Sequence, residues 1–549
     1  MTSTTLPTRR KALKLFAGVP LLPLGASGAA AFLAGCGGGS DDEQAQFAAA
    51  TFTSMAAPTL ANPGAMASTS VGSALKVTMS DQSVRSFDLA YQPFFITGDA
   101  VPDGKGGTML AGGYYDIRNQ PIVDRTVPAS PRQFFSDSPD GTSLLTVPGA
   151  KVEGVKGNPA FAVVQFEYTS FAQDGISDMY GRLPSPIAVL TLDQNPDTGK
   201  LSLVKYHNVD TSSAHGLWIT CGASLSPWGT HLSSEEYEPD AFTAASSSQF
   251  KAFSQNLFGS ETAANPYHYG HLPEVTVKAD GTASIRKHYC LGRISHELVQ
   301  VMPDERTTLM GDDATNGGLF VFVADKARDL SSGTLYVAKV GAGFSVNPAG
   351  PAATLTWIPL GSATSAQIEA LAGSTAPSDI FDLASKDPSD ASFRKTISNG
   401  RTEWLRLKPG MEKAAAFLET HRYAAYVGAS MGFSKMEGTT VNVRDKVAYS
   451  ALQNVQDSMV KGGKGHTDGN GIALDKALKA GAVMALNLRG GQKDLAGAVI
   501  HSDWMPADTR ALITGEDISA DALGNTANPN RIANPDNLKF SEKLRTLFI

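Results

Sequence analysis

The sequence predicts an all-β fold, a β-propeller with helical and loop insertions, on three observations. Short runs rich in β-branched and aromatic residues recur from Leu75 onward, Asp-Gly and Pro-Asp turn chemistry separates them, and helical patterning is confined to a few places. With 54 Gly and 30 Pro in 549 residues the chain is turn-rich without the period of a collagen-like sequence. Short strands in such number must close their sheet edges, and a propeller does so at this length.

The first residues read as an export signal. Arg9-Arg10-Lys11-Ala12-Leu13-Lys14 follows the twin-arginine pattern, an apolar stretch interrupted by glycines runs from Leu15 to Leu33, and no acid precedes Asp41. Leu33-Ala34-Gly35-Cys36 resembles the lipobox at which bacterial lipoproteins are cut. Residues 1–35 are therefore expected to be a signal peptide and Cys36 the lipidation site. The protein is expected to leave by the twin-arginine route and to be periplasmic or membrane-anchored as a lipoprotein. The Gly, Ser, Ala, Thr and Pro sequence of 36–74 reads as a flexible tether, and 75–549 as the propeller.

Within 75–549, strands are expected at Leu75 to Met79, Phe161 to Phe166, Ile187 to Leu192, Leu201 to Tyr206, Leu217 to Cys221, Val275 to Val277, Leu319 to Val323 and Leu335 to Val340. Ser138-Pro139-Asp140-Gly141, Pro196-Asp197-Thr198-Gly199 and Ala279-Asp280-Gly281 read as hairpin turns. Helices are expected at Met411 to Ala424, Asp475 to Ala485 and Ser365 to Ala372. The chain ends in apolar, strand-like Leu547-Phe548-Ile549, which reads as a last blade either cut short or closed differently.

Composition narrows the function. Acidic residues outnumber basic ones 53 to 46, which gives no electrostatic support for nucleic acid as a partner. Three cysteines build no disulfide framework, and no zinc spacing is present. Cys221 and Cys290 read as small buried residues, and Trp218 and Trp228 as core. The carboxylates carry the chemistry: Glu235-Glu236, His296-Glu297, Asp312-Asp313, Glu437 and Asp536 each sit in or beside a Gly- or Pro-punctuated β segment. Oxygen-rich groups drawn from separate strands suit calcium, a hard cation that takes six to eight oxygens. Their spacing is too wide for a local loop site, so convergence is expected where strand ends face one axis.

Several motifs resemble those of the PhoX alkaline phosphatases, a bacterial family of exported propeller proteins. Cys221-Gly222-Ala223-Ser224 through Thr230-His231-Leu232-Ser233-Ser234-Glu235-Glu236 is similar to the family's Cys-Ala-Gly-Gly, Thr-Pro-Trp-Gly-Thr and Glu-Glu segment. Gly292-Arg293-Ile294-Ser295-His296-Glu297, Met310-Gly311-Asp312-Asp313 and Pro535-Asp536-Asn537-Leu538 resemble further motifs in the family's order. The resemblance implies hydrolysis of a small phosphate ester on calcium and iron. It gives Glu235, Glu236, Glu297, Asp312, Asp313, Glu437 and Asp536 as metal ligands and Lys435 as the phosphate contact. Three departures stand out. Ser234 replaces the cysteine expected before Glu-Glu, and serine is a poor ligand for iron, so calcium is favoured. Lys435-Met436-Glu437-Gly438 stands for Arg-Pro-Glu-Asp, so a point charge replaces a bidentate fork. No arginine follows Asp313 within Ala314-Thr315-Asn316.

Other motifs point less far. Gly428-Ala429-Ser430-Met431-Gly432 has the form of a nucleophile elbow but opens no helix, and a strand bend explains it. His296-Glu297 lacks the second histidine of a zincin. Asp193 to Gly199 has a proline inside and its glycine one place late for a calcium loop. Gly462-Gly463-Lys464-Gly465-His466 has no Walker spacing and reads as a mobile loop. The rival to the phosphatase is a calcium-stabilised surface propeller without catalysis, a binding or scaffold module.

Overall fold

The computed structural model describes residues 45–56, 61–68 and 70–549. The expected signal peptide and the Cys36 lipidation site lie outside these residues. No helix among them is long and apolar enough to cross a membrane.

The described chain divides into two compact units. The smaller holds the described residues up to Phe94, with Lys156–Asn158 and Asp193–Ser202. Its three-stranded antiparallel sheet is formed by Phe47–Phe52, Ser70–Met79 and Val84–Ala90. This corrects the expectation of a tether over 36–74, because Phe47–Phe52 pairs with the Leu75 to Met79 stretch. Phe47 and Phe52 give that segment the β propensity that its Ala and Thr neighbours obscure.

The larger unit is mostly β, and its centre is a closed antiparallel barrel of eight strands. We number them β1 (Thr307–Gly317), β2 (Phe320–Lys326), β3 (Asp329–Val340), β4 (Ala353–Thr364), β5 (Phe433–Asn442), β6 (Val447–Leu452), β7 (Ala482–Arg489) and β8 (Met505–Thr514). Pairing runs β1-β2-β3-β4-β8-β7-β6-β5, and β5 returns onto β1 at Asp312↔Met436, Thr315↔Ser434 and Gly317↔Phe433. That seam carries a register shift between Asp312 and Thr315. Every strand of the ring feeds one apolar cluster, including Leu309, Val321, Ala338, Leu355, Met436, Ala448, Leu486 and Met505. Those alternate residues fill the barrel, as the period of two requires. On the opposite face Met310, Phe320, Phe322 and Val337 pack with two short helices, α1 (Glu412–Leu418) and α2 (Thr420–Tyr426). Both faces of these strands are therefore buried, which explains their nearly continuous apolar runs.

Two four-stranded antiparallel sheets complete the β structure that frames the site. One orders Leu201–Asn208, Ile187–Gln194, Asn158–Phe166 and Pro139–Leu145; the other Ser224–Leu225, His231–Leu232, Leu272–Val277 and Ala283–His288. Over β1 to β8 the pairing is a closed barrel and not a ring of separate blades.

Three local readings are corrected. Asp475 to Ala485 is not a helix: Ala482 begins β7, paired on both sides, and Gly481 at φ 74° breaks any helix before it. Leu217 to Cys221 is irregular backbone, with Ile219 at φ 32°. Ser138 to Gly141 is no tight turn, because Pro139–Leu145 is a strand. The helices at Ser365–Ala372 and across 412–426 form as expected, and Ser248–Phe258 is an additional one. The final residues form a hairpin, Lys539–Ser541 with Thr546–Phe548.

Candidate metal centre

The site is built by extended segments whose consecutive side chains project to opposite sides. After the short strand His231–Leu232, Glu235 N–H donates to the His271 carbonyl and Glu236 N–H to the Ile219 carbonyl. Their side chains then part. Glu235 accepts from the N–H of Trp218 (2.9 Å), Gly270 (3.0 Å) and His271 (3.1 Å) and pairs with Lys287 Nζ at 2.8 Å, all in the interior. These four donors use both of its oxygens, so Glu235 is a structural carboxylate and not the expected ligand.

Asp312 and Asp313 divide in the same way. Asp312 meets His421 Nε2 at 2.8 Å and accepts from Gly318 N–H at 2.8 Å, while His421 Nδ1 reaches Glu238 at 3.0 Å. Burial alone would depress His421, but Asp312 and Glu238 outweigh it and raise it to about 10. Asp312 is thereby corrected from metal ligand to partner of a buried imidazolium. Asp313 turns the other way, toward Lys435 Nζ (2.5 Å) and the Tyr237 hydroxyl.

Around Asp313 the remaining expected ligands converge at the seam between β1 and β5. Met436 points into the barrel, so its neighbours Lys435 and Glu437 both point out of it. Glu437 lies 3.5 Å from Lys435 Nζ, and Lys435 also donates to Tyr237 Oη at 2.7 Å. Glu297 comes from the strand His296–Val301 beside β1, and Asp536 is held by Gln453 Nε2 at 3.1 Å. Two close backbone approaches permit this crowding. A Cβ at Gly311 would stand 2.8 Å from Glu297 Cβ, and one at Gly438 would stand 2.7 Å from Leu538 N beside Asp536.

Three further groups complete the cluster, and none was assigned to it from sequence. Ligand atoms of Cys221, Glu236 and Glu297 lie within 4.8 Å of one another, as do those of Asp140, Glu167 and Cys221. The Cys221 thiol sits 3.4 Å from Asp140 Oδ2. Its carbonyl, with that of Gly222, accepts from Gln165 Nε2, and Gln165 Oε1 is 3.0 Å from His231 Nε2, so the thiol-bearing loop is fixed from beneath. Ser234, the position expected to show whether a thiol is present, is buried and donates to Gly222 O at 2.7 Å.

The electrostatics are those of acids lacking a counter-charge. Burial, then Glu297, Asp313 and Glu167, push Glu236 well above the usual carboxylate range. Burial and the neighbouring Asp313, Asp536 and Asp140 do the same to Glu297. Burial with Glu297 and Asp313 pushes Glu437 up to about 10 despite Lys435, and burial with Asp140 and Asp313 pushes Glu167 up to about 7. The Cys221 thiol is raised by burial and by Glu297, Glu236 and Asp140. Among the described residues Lys435 is the positive side chain drawn into the cluster. Glu297 Oε1 is buried without a hydrogen-bond partner, and Glu437 Oε1 has the Lys435 ammonium 3.5 Å away but no hydrogen bond. Orphaned oxygens, like charges and one thiol in a shared pocket fit bound cations.

A family model described as alkaline phosphatase PhoX matches residues 191–545. The chain belongs to the PhoX family. Among solved structures, this PhoX-family chain is similar to Pseudomonas fluorescens PhoX in complex with vanadate, a transition-state analogue. The two share 18% identity with a TM-score of 0.50, over 82% of this chain and 78% of that one. No curated protein matches the chain. The matched residues hold Cys221, Glu236, Glu297, Asp313, Lys435, Glu437 and Asp536, while Asp140 and Glu167 of this PhoX-family chain lie before them.

The missed groups left faint marks in the sequence. Cys221 opens the motif that carried the resemblance, but its neighbours read as core. Asp140 was hidden in what looked like a turn. Glu167 follows directly on a buried strand, where an acid is uncommon.

Proposed function

We propose that the chain hydrolyses phosphate monoesters at a multi-cation centre held by Cys221, Glu236, Glu297, Glu437 and Asp536, with Asp140 and Glu167 completing its edge. The observation that carries this is the convergence of buried, unpaired acids on Cys221 and Lys435 in a PhoX-family chain. The carboxylate oxygens suit calcium, and the Cys221 thiol supplies the softer ligand that a transition ion such as iron prefers. The bound cations would polarise phosphoryl oxygens and position an attacking oxygen. Lys435 Nζ, which donates to Tyr237 Oη at 2.7 Å, stands at the cluster's edge and would orient a phosphoryl oxygen with its remaining N–H. Asp313 fixes that pair by accepting from both. Burial and mutual repulsion favour the protonated forms of Glu236, Glu297 and Glu437 in the cation-free pocket, and cations would displace those protons and supply the positive charge that phosphate needs, which makes phosphate binding conditional on loading.

Three finer readings belong to the same proposal. The two four-stranded sheets are read as propeller blades, with their antiparallel four-strand order as support. Export by the twin-arginine route and a lipid anchor at Cys36 are read from the first 36 residues. A periplasmic or membrane-anchored place follows from these.

One observation favours the non-catalytic calcium module instead: Lys435 is already neutralised by Asp313. Elemental analysis of the chain purified without chelator, with p-nitrophenyl phosphate turnover measured before and after chelation, separates the two. Chelator-sensitive turnover is expected. Calcium without turnover would leave the binding module as the function.

A further inference from the structure

Beside the acid cluster lies a cleft of about 830 Å³. That is within the range of cavities that enclose a whole small-molecule ligand, roughly 300–1,000 Å³, and far more than a phosphoryl group needs. Its walls mix polar side chains, among them Thr402, Gln456, Lys464 and Asn534, with the carboxylates of Asp457 and Asp517 and apolar residues such as Ile397 and Val455.

The cleft is joined to the site through Gln453. Gln453 N–H donates to Lys435 O at 2.9 Å, and its side chain donates to Asp536. On its other side Asn454 Nδ2 donates to Gln453 Oε1 at 3.3 Å and Asn534 Nδ2 to Gln453 O at 3.3 Å. Two cleft residues therefore rest on the residue that touches Lys435 and holds Asp536. The glycine-rich loop 462–466 closes the far wall. It is fixed there, with Gly465 O accepting from Asn316 Nδ2 at 2.7 Å and His466 Nε2 3.0 Å from Ile472 O.

The valences left over on this wall are mixed. Gln456 Oε1 is taken by the Thr315 hydroxyl at 2.7 Å, which leaves its Nε2 to donate. Asn534 spends both Nδ2 hydrogens, on Gln453 O and Lys479 O, which leaves its Oδ1 to accept, while Asn454 spends one on Gln453 and keeps one to donate beside its accepting Oδ1. The Thr402 hydroxyl does both, and Lys464 and Lys479 add donors. A wall that mixes donors, acceptors and carboxylates with short apolar stretches matches groups that themselves donate and accept on a carbon frame, which hydroxyls do and aryl rings do not.

We propose that this cleft holds the alcohol half of the phosphate ester and that this alcohol is hydroxyl-rich, of sugar or polyol type. The inference rests on the phosphatase reading above. The test compares a hexose monophosphate with p-nitrophenyl phosphate on the metal-loaded full chain and on Thr402→Trp and Gln456→Leu. The ratio of kcat/KM for sugar over aryl ester is expected to fall at least about tenfold in each variant, because lost hydroxyl partners are what such a site discriminates by. An unchanged ratio in both variants overturns the proposal. Saturation-transfer NMR with the free hexose reads the cleft without turnover. Transfer is expected to the natural chain and to be lost in Thr402→Trp, and its absence from the natural chain overturns the proposal. Transfer without turnover of either ester overturns the phosphatase reading, and with it the leaving-group assignment.

Discussion

Lys435 and Asp313 meet across the seam that closes the barrel, Nζ to Oδ2 at 2.5 Å, although 122 residues separate them. The pair places a cation at the edge of a pocket otherwise lined by acids. Burial lowers the ammonium's affinity for its proton, but Asp313 and Glu437 more than restore it, so Lys435 stays charged. Lys435→Met is expected to reduce kcat/KM for p-nitrophenyl phosphate by about 100-fold, the usual cost of losing one oriented donor. Circular dichroism of the variant should be unchanged.

Cys221 supplies the one thiol of the cluster. Cys221→Ala is expected to remove the transition ion while calcium stays bound to the carboxylates, read by elemental analysis of both proteins. Equal loss of both ions would mean that the thiol serves the pocket's shape and not one cation.

Adjacent glutamates should respond in opposite directions. Lys287→Met strands the buried Glu235 carboxylate and is expected to cost about 3–5 kcal/mol of stability in denaturant unfolding. Glu236→Gln removes a buried acid whose ionised form burial, Glu297, Asp313 and Glu167 disfavour, so that folding no longer has to take up a proton there. The melting temperature in chelator is therefore expected to rise by about 1 °C, near 1 kcal/mol for a chain of this size.

His421 gives a pH signature from outside the acid cluster, isolated by comparison with its own variant. Its folded affinity for the proton, raised to about 10, exceeds the ordinary value for histidine. The Asp312–His421–Glu238 pairing therefore contributes its full stability below pH 6.5 and loses it as pH rises toward 10. The stability gap between the natural chain and His421→Gln should be wide at pH 6 and narrow at pH 9.5, measured by denaturant midpoints.

Much of the fold was legible because strand residues alternate and turns carry Asp, Gly and Pro. Ile187–Gln194 and Phe320–Lys326 announce themselves by β-branched and aromatic runs, and Pro196 to Gly199 by its turn chemistry. Ala482–Arg489 did not, because a barrel interior needs small residues and alanine favours helix when read alone. The helix Ser248–Phe258 was visible in principle, with Phe250, Phe253 and Leu257 on one face and Ser247 capping it, but its polar remainder masked the pattern. For the site, the acids were found and their directions were not. Glu235 beside Glu236 and Asp312 beside Asp313 look equivalent in a string of letters. Which of each pair faces the pocket depends on Lys287 and His421, tens of residues away.

The seam has a temporal meaning as well. Asp313 lies on β1 and Lys435 and Glu437 on β5, so the pocket exists only once the ring has closed in the correct register. A slip of one residue would turn Met436 toward the acids and bury Lys435 in hydrocarbon. Cations added to the refolding chain would thus find no complete set of ligands until this long-range pairing has formed, and metal uptake would serve as a clock for closure of the seam.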